Sequence, residues 1–203
     1  MMKIFSIVAI LILTGCGGRY GRGLPTGHAS FEAWAAAHAE ENRVAPEMKR
    51  LDPLLGKWDF VASNTRWPGA DPISWTGTVD FKPQFDGRWI FGDIRHHDHP
   101  EHETAFMMLG YSNAERRYLT AFLGDFSTSA VVGEGVQVPD RSGNLSIEFE
   151  MAMPDPLEPG ERILTRRTMR FNPDGSVEFI SYRSGWNGTL DPYFNWTLRR
   201  PSD

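Results

Sequence analysis

Leu145-Ser146-Ile147-Glu148-Phe149-Glu150-Met151 alternates apolar and polar side chains without a break. Alternation with period two puts the apolar set on one face of a β-strand and the acids and serine on the other, an arrangement a helix cannot produce. Outward from it, Trp75, Val79 and Phe81 alternate in the same way with Thr76, Thr78 and Asp80. The pattern starts near Trp58 and predicts strands near 57–66, 73–82, 87–97, 103–112, 116–123, 126–138, 144–152, 161–171, 176–184 and 193–200. Between them stand Pro68-Gly69, Asp86-Gly87, Ser112-Asn113, residues 140–143, residues 172–175 and Asn187-Gly188, rich in the residue types that turns require. Ten short antiparallel strands with no helix between them predict an all-β fold. The expected form is an up-and-down barrel, which removes its edges by closing; a two-sheet sandwich is the alternative.

Ahead of the strands, Phe31, Trp34, Ala35 and His38 recur at helical spacing in an Ala- and Glu-rich run to about residue 42, with Ser30 as N-cap. A short N-terminal helix is expected there, covering a barrel mouth or its flank, with His38 on its surface. Pro46 interrupts, and residues 47–54 predict a second helical turn.

A chain of 203 residues suffices for one such domain, and seven Trp and thirteen Phe supply a large apolar core. The formal charge of −5 argues against a nucleic-acid partner, which calls for a basic surface. The single Cys, at position 16, excludes an intramolecular disulfide.

The first residues have a different character. Lys3 precedes an apolar run, residues 4–13, shorter than the roughly 20 apolar residues that a spanning helix needs. The run ends in Leu13-Thr14-Gly15-Cys16, which resembles the bacterial lipobox. The resemblance implies a lipoprotein signal peptide over 1–15, with diacylation of the Cys16 thiol, cleavage before it and acylation of the new amino group, each buried methylene contributing about 0.8 kcal/mol to anchoring. Residues 17–29, rich in Gly, read as a flexible tether, and residues 30–203 as helix plus barrel. Gly17 in place of Asp favours the outer membrane, so the expected location is the bacterial envelope, lipid-anchored and facing the periplasm. Gly-Gly-Arg-Tyr-Gly-Arg-Gly over 17–23 follows no strand, and so reads as tether rather than phosphate loop.

Gly56-Lys57-Trp58 at the first strand, with Arg199-Arg200 closing the last, resembles the signature of lipocalins and other calycin-type barrels. In those folds an Arg lies across the Trp indole and plugs one end, so the resemblance implies barrel closure by Trp58 with Arg199 and Arg200. Such a stack is worth roughly 0.5–2 kcal/mol. Over 51–200 the chain is similar to a bacterial lipocalin-like family catalogued as a domain of unknown function. The landmarks are Leu54-Leu55-Gly56-Lys57-Trp58, Trp75-Thr76-Gly77, Gly87-Arg88-Trp89-Ile90, Leu109-Gly110-Tyr111 and an aromatic closing strand ending in Arg. That family usually has Asp after the Tyr, where this chain has Ser112. The resemblance implies an apolar interior and carries over no catalytic or binding residue.

An aromatic-lined container makes Trp75, Phe81, Trp89, Phe91, Phe149 and Phe179 candidate contacts for a small apolar or amphipathic ligand, such as a fatty acid or lipid fragment. Arg162, Arg166, Arg167, Arg170 and Arg183 crowd two adjacent strands. Either they pair with Glu148, Glu150, Glu161 and Glu178 on the outer face, or Arg167 and Arg183 reach inward to an anionic headgroup. His96-His97-Asp98-His99-Pro100-Glu101-His102-Glu103 holds four of the six His in the chain. It reads as a polar hairpin loop, with zinc or another divalent metal on His96, His97, His99 and His102 as the alternative. Ile90-Phe91, Phe106-Met107-Met108-Leu109 and residues 119–123 are apolar on both faces. Either the N-terminal helix packs there, or the patch faces a second copy or a membrane. Asp125, Asp155 and Asp174 read as turn residues. With no Gly-x-Ser-x-Gly elbow and no free Cys, no catalytic role and no cofactor are expected. The expected function is therefore ligand binding by an envelope lipoprotein. A solidly packed barrel that works by contacting partners is the second reading and a metal-binding protein the third. The oligomeric state is open.

Overall fold

The computed structural model describes residues 31–65, 69–125, 129–139, 144–155, 158, 160–184 and 190–202. The expected signal peptide, Cys16, the tether and Ser30 lie outside the described residues. The chain divides into two compact units, 1–42 and 43–203. In the first, α1 (Phe31–Glu41) is helical as its spacing predicts. Trp34 stacks on His38 one turn later, with ring centroids 5.1 Å apart, and the Asn42 amide donates to the His38 carbonyl at 2.7 Å where the helix ends.

The second unit begins with a 3₁₀ helix (Pro46–Leu54) and continues as ten strands. These are β1 (Gly56–Asn64), β2 (Ile73–Gln84), β3 (Trp89–His96), β4 (Thr104–Ser112), β5 (Arg117–Gly124), β6 (Val131–Pro139), β7 (Leu145–Pro154), β8 (Arg162–Phe171), β9 (Val177–Ser184) and β10 (Leu190–Arg199). Each pairs with its sequence neighbours, and β10 returns to β1 from Asp59↔Arg199 to Asn64↔Phe194, antiparallel. The result is a closed barrel, not a sandwich. β6 starts later than the pattern predicts. β10 starts earlier, because its register shifts between Pro192 and Phe194, where Pro cannot donate to the ladder.

Alternation sends Trp58 and Phe60 of β1, Phe81 of β2, Ile147 and Phe149 of β7, Met169 of β8, Phe179 of β9 and Trp196 and Leu198 of β10 into the lumen, all buried. Large rings fit because small residues face them across the ladder. Phe60 pairs with Gly77 and Phe81 with Gly92, and a Cβ at either glycine would sit within 2.5 Å of the opposite ring.

One end is sealed. The 3₁₀ helix lays Met48, Leu51 and Leu54 into the core, and the Trp58 indole N–H donates to the Leu54 carbonyl at 2.6 Å. The Arg200 guanidinium carbon lies 3.7 Å from the centre of a Trp58 ring. Its nitrogens donate to the carbonyls of Pro53 at 2.8 Å and Lys57 at 3.3 Å. Arg200 is therefore the plug. Arg199, one residue earlier and on the opposite face, reaches Asp174 at 3.8 Å instead and takes no part. Gly56 adopts φ +100, and a Cβ there would meet Arg200 Nη1 at 3.1 Å.

The two-faced apolar pattern of β3–β5 has its own explanation. On the outer surface Phe85, Phe91 and Phe106 form successive edge-to-face contacts, at 5.8 Å and 5.1 Å. Met108, paired with Phe91, is buried there at 3% exposure, outside the luminal core.

Arg200→Ala is expected to cost about 1.5–2.5 kcal/mol, from a partly exposed stack and charge-assisted hydrogen bonds, and to lower Tm by several degrees. Gly56→Ala adds a strained left-handed φ for a residue with a side chain, of order 1–3 kcal/mol. Arg199→Ala is expected to leave Tm nearly unchanged. Thermal unfolding of the three variants checks this ranking.

Candidate functional site

The other end is described at the connection between β3 and β4. The connection between β3 and β4, residues 97–103, folds inward over the mouth because two carboxylates pin it. Asp98 accepts from the Thr76 backbone N–H at 2.6 Å and from the Thr76 hydroxyl at 3.1 Å. Asp125 accepts from the backbone N–H groups of Glu103 and Thr104, both at 2.9 Å. The Thr76 hydrogen bonds hold the Asp98 carboxyl below its ordinary range.

So pinned, the loop sends His99 and His102 onto the cavity with His96 of β3. His99 stacks on His102 with ring centroids 4.6 Å apart, and lies 5.6 Å from His96. The Trp75 indole N–H donates to His96 Nδ1 at 2.8 Å, which leaves the neutral His96 proton on Nε2. His99 Nδ1 accepts from the backbone N–H groups of Glu101 and His102 at 3.1 Å. Among the described residues no three His, Cys, Asp or Glu side chains are grouped as a ligand set, and His97 is exposed.

Below this rim lies a cavity of about 230 Å³. Its wall combines apolar and aromatic groups, among them Ile73, Trp75, Phe122, Met151, Tyr193 and Phe194, with the polar Asn64, Thr165 and Arg167. Arg167 is buried at 9% exposure, and its Nε donates to Ser181 Oγ at 2.9 Å. Asn64 Oδ1 is buried with no hydrogen-bond partner. Tyr193 and Phe194 both reach the cavity because the register of β10 shifts between Pro192 and Phe194, which leaves Tyr193 as the extra residue of a bulge.

Of the residues expected to touch a ligand, the structure brings Trp75 and Arg167 to the cavity. Phe81, Phe149 and Phe179 face the lumen but are packed in its closed half, each 1% exposed. Trp89 and Phe91 lie on the outer surface: Trp89 covers Gly110, where a Cβ would sit 2.6 Å from the ring. The Arg183 guanidinium carbon lies 5.5 Å from the Tyr193 ring centre, behind the cavity-lining aromatics. Both readings of the arginine cluster hold in part, since Arg170 reaches Glu178 outside at 3.9 Å while Arg167 points inward. Asp155 and Asp174 cap their turns through the backbone N–H groups of Glu158 and Ser176.

Burial, with the neighbouring His99 second, pushes the His96 pKa down to about 4 from its ordinary 6.5. Above pH 6.5 both folded and unfolded chains hold this imidazole neutral, and its contribution to stability is complete. As pH falls from 6.5 through about 4, the unfolded chain takes up the proton first and stability is lost. NMR of the folded protein is expected to show His96 titrating near 4, and His96→Gln is expected to lose less Tm than wild type across that window. A folded-state midpoint near 6.5 would contradict this.

No curated protein matches the chain. Among solved structures it is similar to that titled "Crystal Structure of Rv2717c from M. tuberculosis", with 15% identity and a TM-score of 0.54. The match covers 79% of this chain and 100% of that one, and at this identity it is a likeness of fold. Residues 44–200 match the model of a family described as "Protein of unknown function (DUF1579)". With the whole barrel inside the matched region, the chain belongs to the DUF1579 family.

Proposed function

We propose that this protein is a lipid-anchored binding protein of the bacterial envelope, holding a small amphipathic molecule in the end of its barrel opposite the plug. The observation that supports it is the cavity of about 230 Å³, in which apolar walls surround a few polar groups, the composition typical of ligand sites. The volume equals that of about eight waters, so the ligand is smaller than the long-chain fatty acids that an empty barrel would take. Buried side chains occupy the lumen around Trp58, Phe81, Phe149 and Phe179, as the packed-barrel reading expects, and the cavity proposed as the container lies at the other end, beneath His99 and His102.

The anchor rests on Leu13-Thr14-Gly15-Cys16. Cells fed a radiolabelled fatty acid are expected to label the wild type and not Cys16→Ser. Label in Cys16→Ser, or none in the wild type, would remove the anchor. For the container, octanol is expected to shift the Trp75 indole N–H resonance saturably in the wild type and not in a variant with Val131, which lines the cavity, replaced (Val131→Trp), since the indole fills the space. No saturable shift in either protein would overturn the reading.

A further inference from the structure

We infer that the cavity is built for a small monocarboxylic acid, seated with its carboxylate on Arg167 and its apolar body against the aromatic wall. The inference rests on the container reading, and adds the charge of the ligand and the direction in which it enters.

Arg167 projects from β8, and its guanidinium carbon lies 5.8 Å from the ring centre of Phe122 on β5 and 5.7 Å from that of Phe194 on β10. Those two strands stand opposite each other in the ring of ten, so the charged group sits across the lumen and not along one wall. A guanidinium stays protonated at any physiological pH. A full positive charge is thus held among two Phe rings and a hydroxyl.

Among the described residues no acid neutralises it. Glu101 on the rim lies 3.6 Å from His102 and is half exposed. Asp125 serves the backbone of Glu103 and Thr104, and Asp155 that of Glu158. Among the described residues no carboxylate forms an ion pair with Arg167. Outside the described residues the sequence holds two acids, Asp140 and Asp203. Rings attract a cation modestly, far less than is lost by holding it in an apolar site without a counter-ion. The missing charge therefore comes from outside the chain.

Its chemistry follows from the donors. With Nε engaged by Ser181, the terminal nitrogens remain to face the cavity, and a planar fork of N–H groups matches a carboxylate's two oxygens. One guanidinium balances one negative charge. A dianionic phosphate would leave a second charge beside Phe122, Phe194 and the uncharged His96. Asn64 Oδ1, unpartnered on the same cavity, adds an acceptor for a donor group on the ligand's body. About eight waters' volume suits an acid of roughly that many carbons.

Calorimetric titration of the full mature chain, carrying Cys16→Ser to keep it free of acyl groups, tests this with octanoate and octanol as probes. Octanoate is expected to bind at least about tenfold more tightly than octanol. Arg167→Met is expected to lose that preference and to unfold at a higher Tm than wild type without ligand, since it removes an uncompensated charge. Equal affinity for the two probes, or octanoate held as tightly by Arg167→Met as by wild type, would overturn the inference while leaving the container reading intact. Failure of both probes to bind wild type would overturn the container and this inference with it. Should Arg167→Met not fold, Arg167→Lys keeps the charge but not the fork, and the wild-type preference decides by itself.

Discussion

The guanidinium of Arg200 lying on the indole of Trp58 joins the two ends of the sheet. Trp58 belongs to the first strand, and Arg200 follows directly on the last ladder residue, Arg199. By donating to Pro53 and Lys57, Arg200 also ties the 3₁₀ helix to the point where the ring closes. A sheet closed in this way has no free edge to template further pairing. It also forces a glycine at position 56, where the guanidinium passes over the backbone.

Above the plug the lumen is a core of buried rings. The rings of Trp58, Phe60, Phe81, Phe149, Phe179 and Trp196 are within 5% of complete burial. They stack upward from the plug, Phe60 against Trp196 at 5.1 Å and Trp196 against Phe179 at 5.2 Å. Side chains thus fill the sealed half to close packing. Phe60 also touches His96 edge-on at 5.7 Å, so the top of the packed core is the floor of the cavity. The space left above is small because the aromatic residues below it are many.

Most of this was legible in the sequence, for physical reasons. Period-two alternation and turn residues located all ten strands, because each strand buries one face. The Gly-x-Trp and terminal Arg pair announced the plug. Parity even distinguishes the two arginines, since Arg200 shares its face with the luminal Trp196 and Leu198. Height along the barrel axis was not legible: alternation tells that Phe81, Phe149 and Phe179 point inward, but not that they lie below the cavity. Phe91 and Trp89 misled because β3 is apolar on both faces. The histidine segment looked like a solvated loop because its anchors, Thr76 and Asp125, lie more than twenty residues away. The contribution of Tyr193 depends on a register shift whose only sequence mark is Pro192.

Two arginines in this barrel lie against aromatic rings, and the difference between them separates structure from function. Arg200 is exposed on its outer side, so water screens its charge, and its donors are satisfied by main-chain carbonyls. Removing it would loosen a closure. Arg167 makes the same kind of ring contact twice, yet it is buried, with one hydrogen bond to a neutral hydroxyl. A fold selected for stability alone would be better served there by a methionine of similar volume, because ring contacts do not offset the desolvation of an unpaired cation. The proposed monocarboxylate would supply the counter-charge that Arg167 lacks among the described residues, whereas the donors of Arg200 are already met by carbonyls of its own chain.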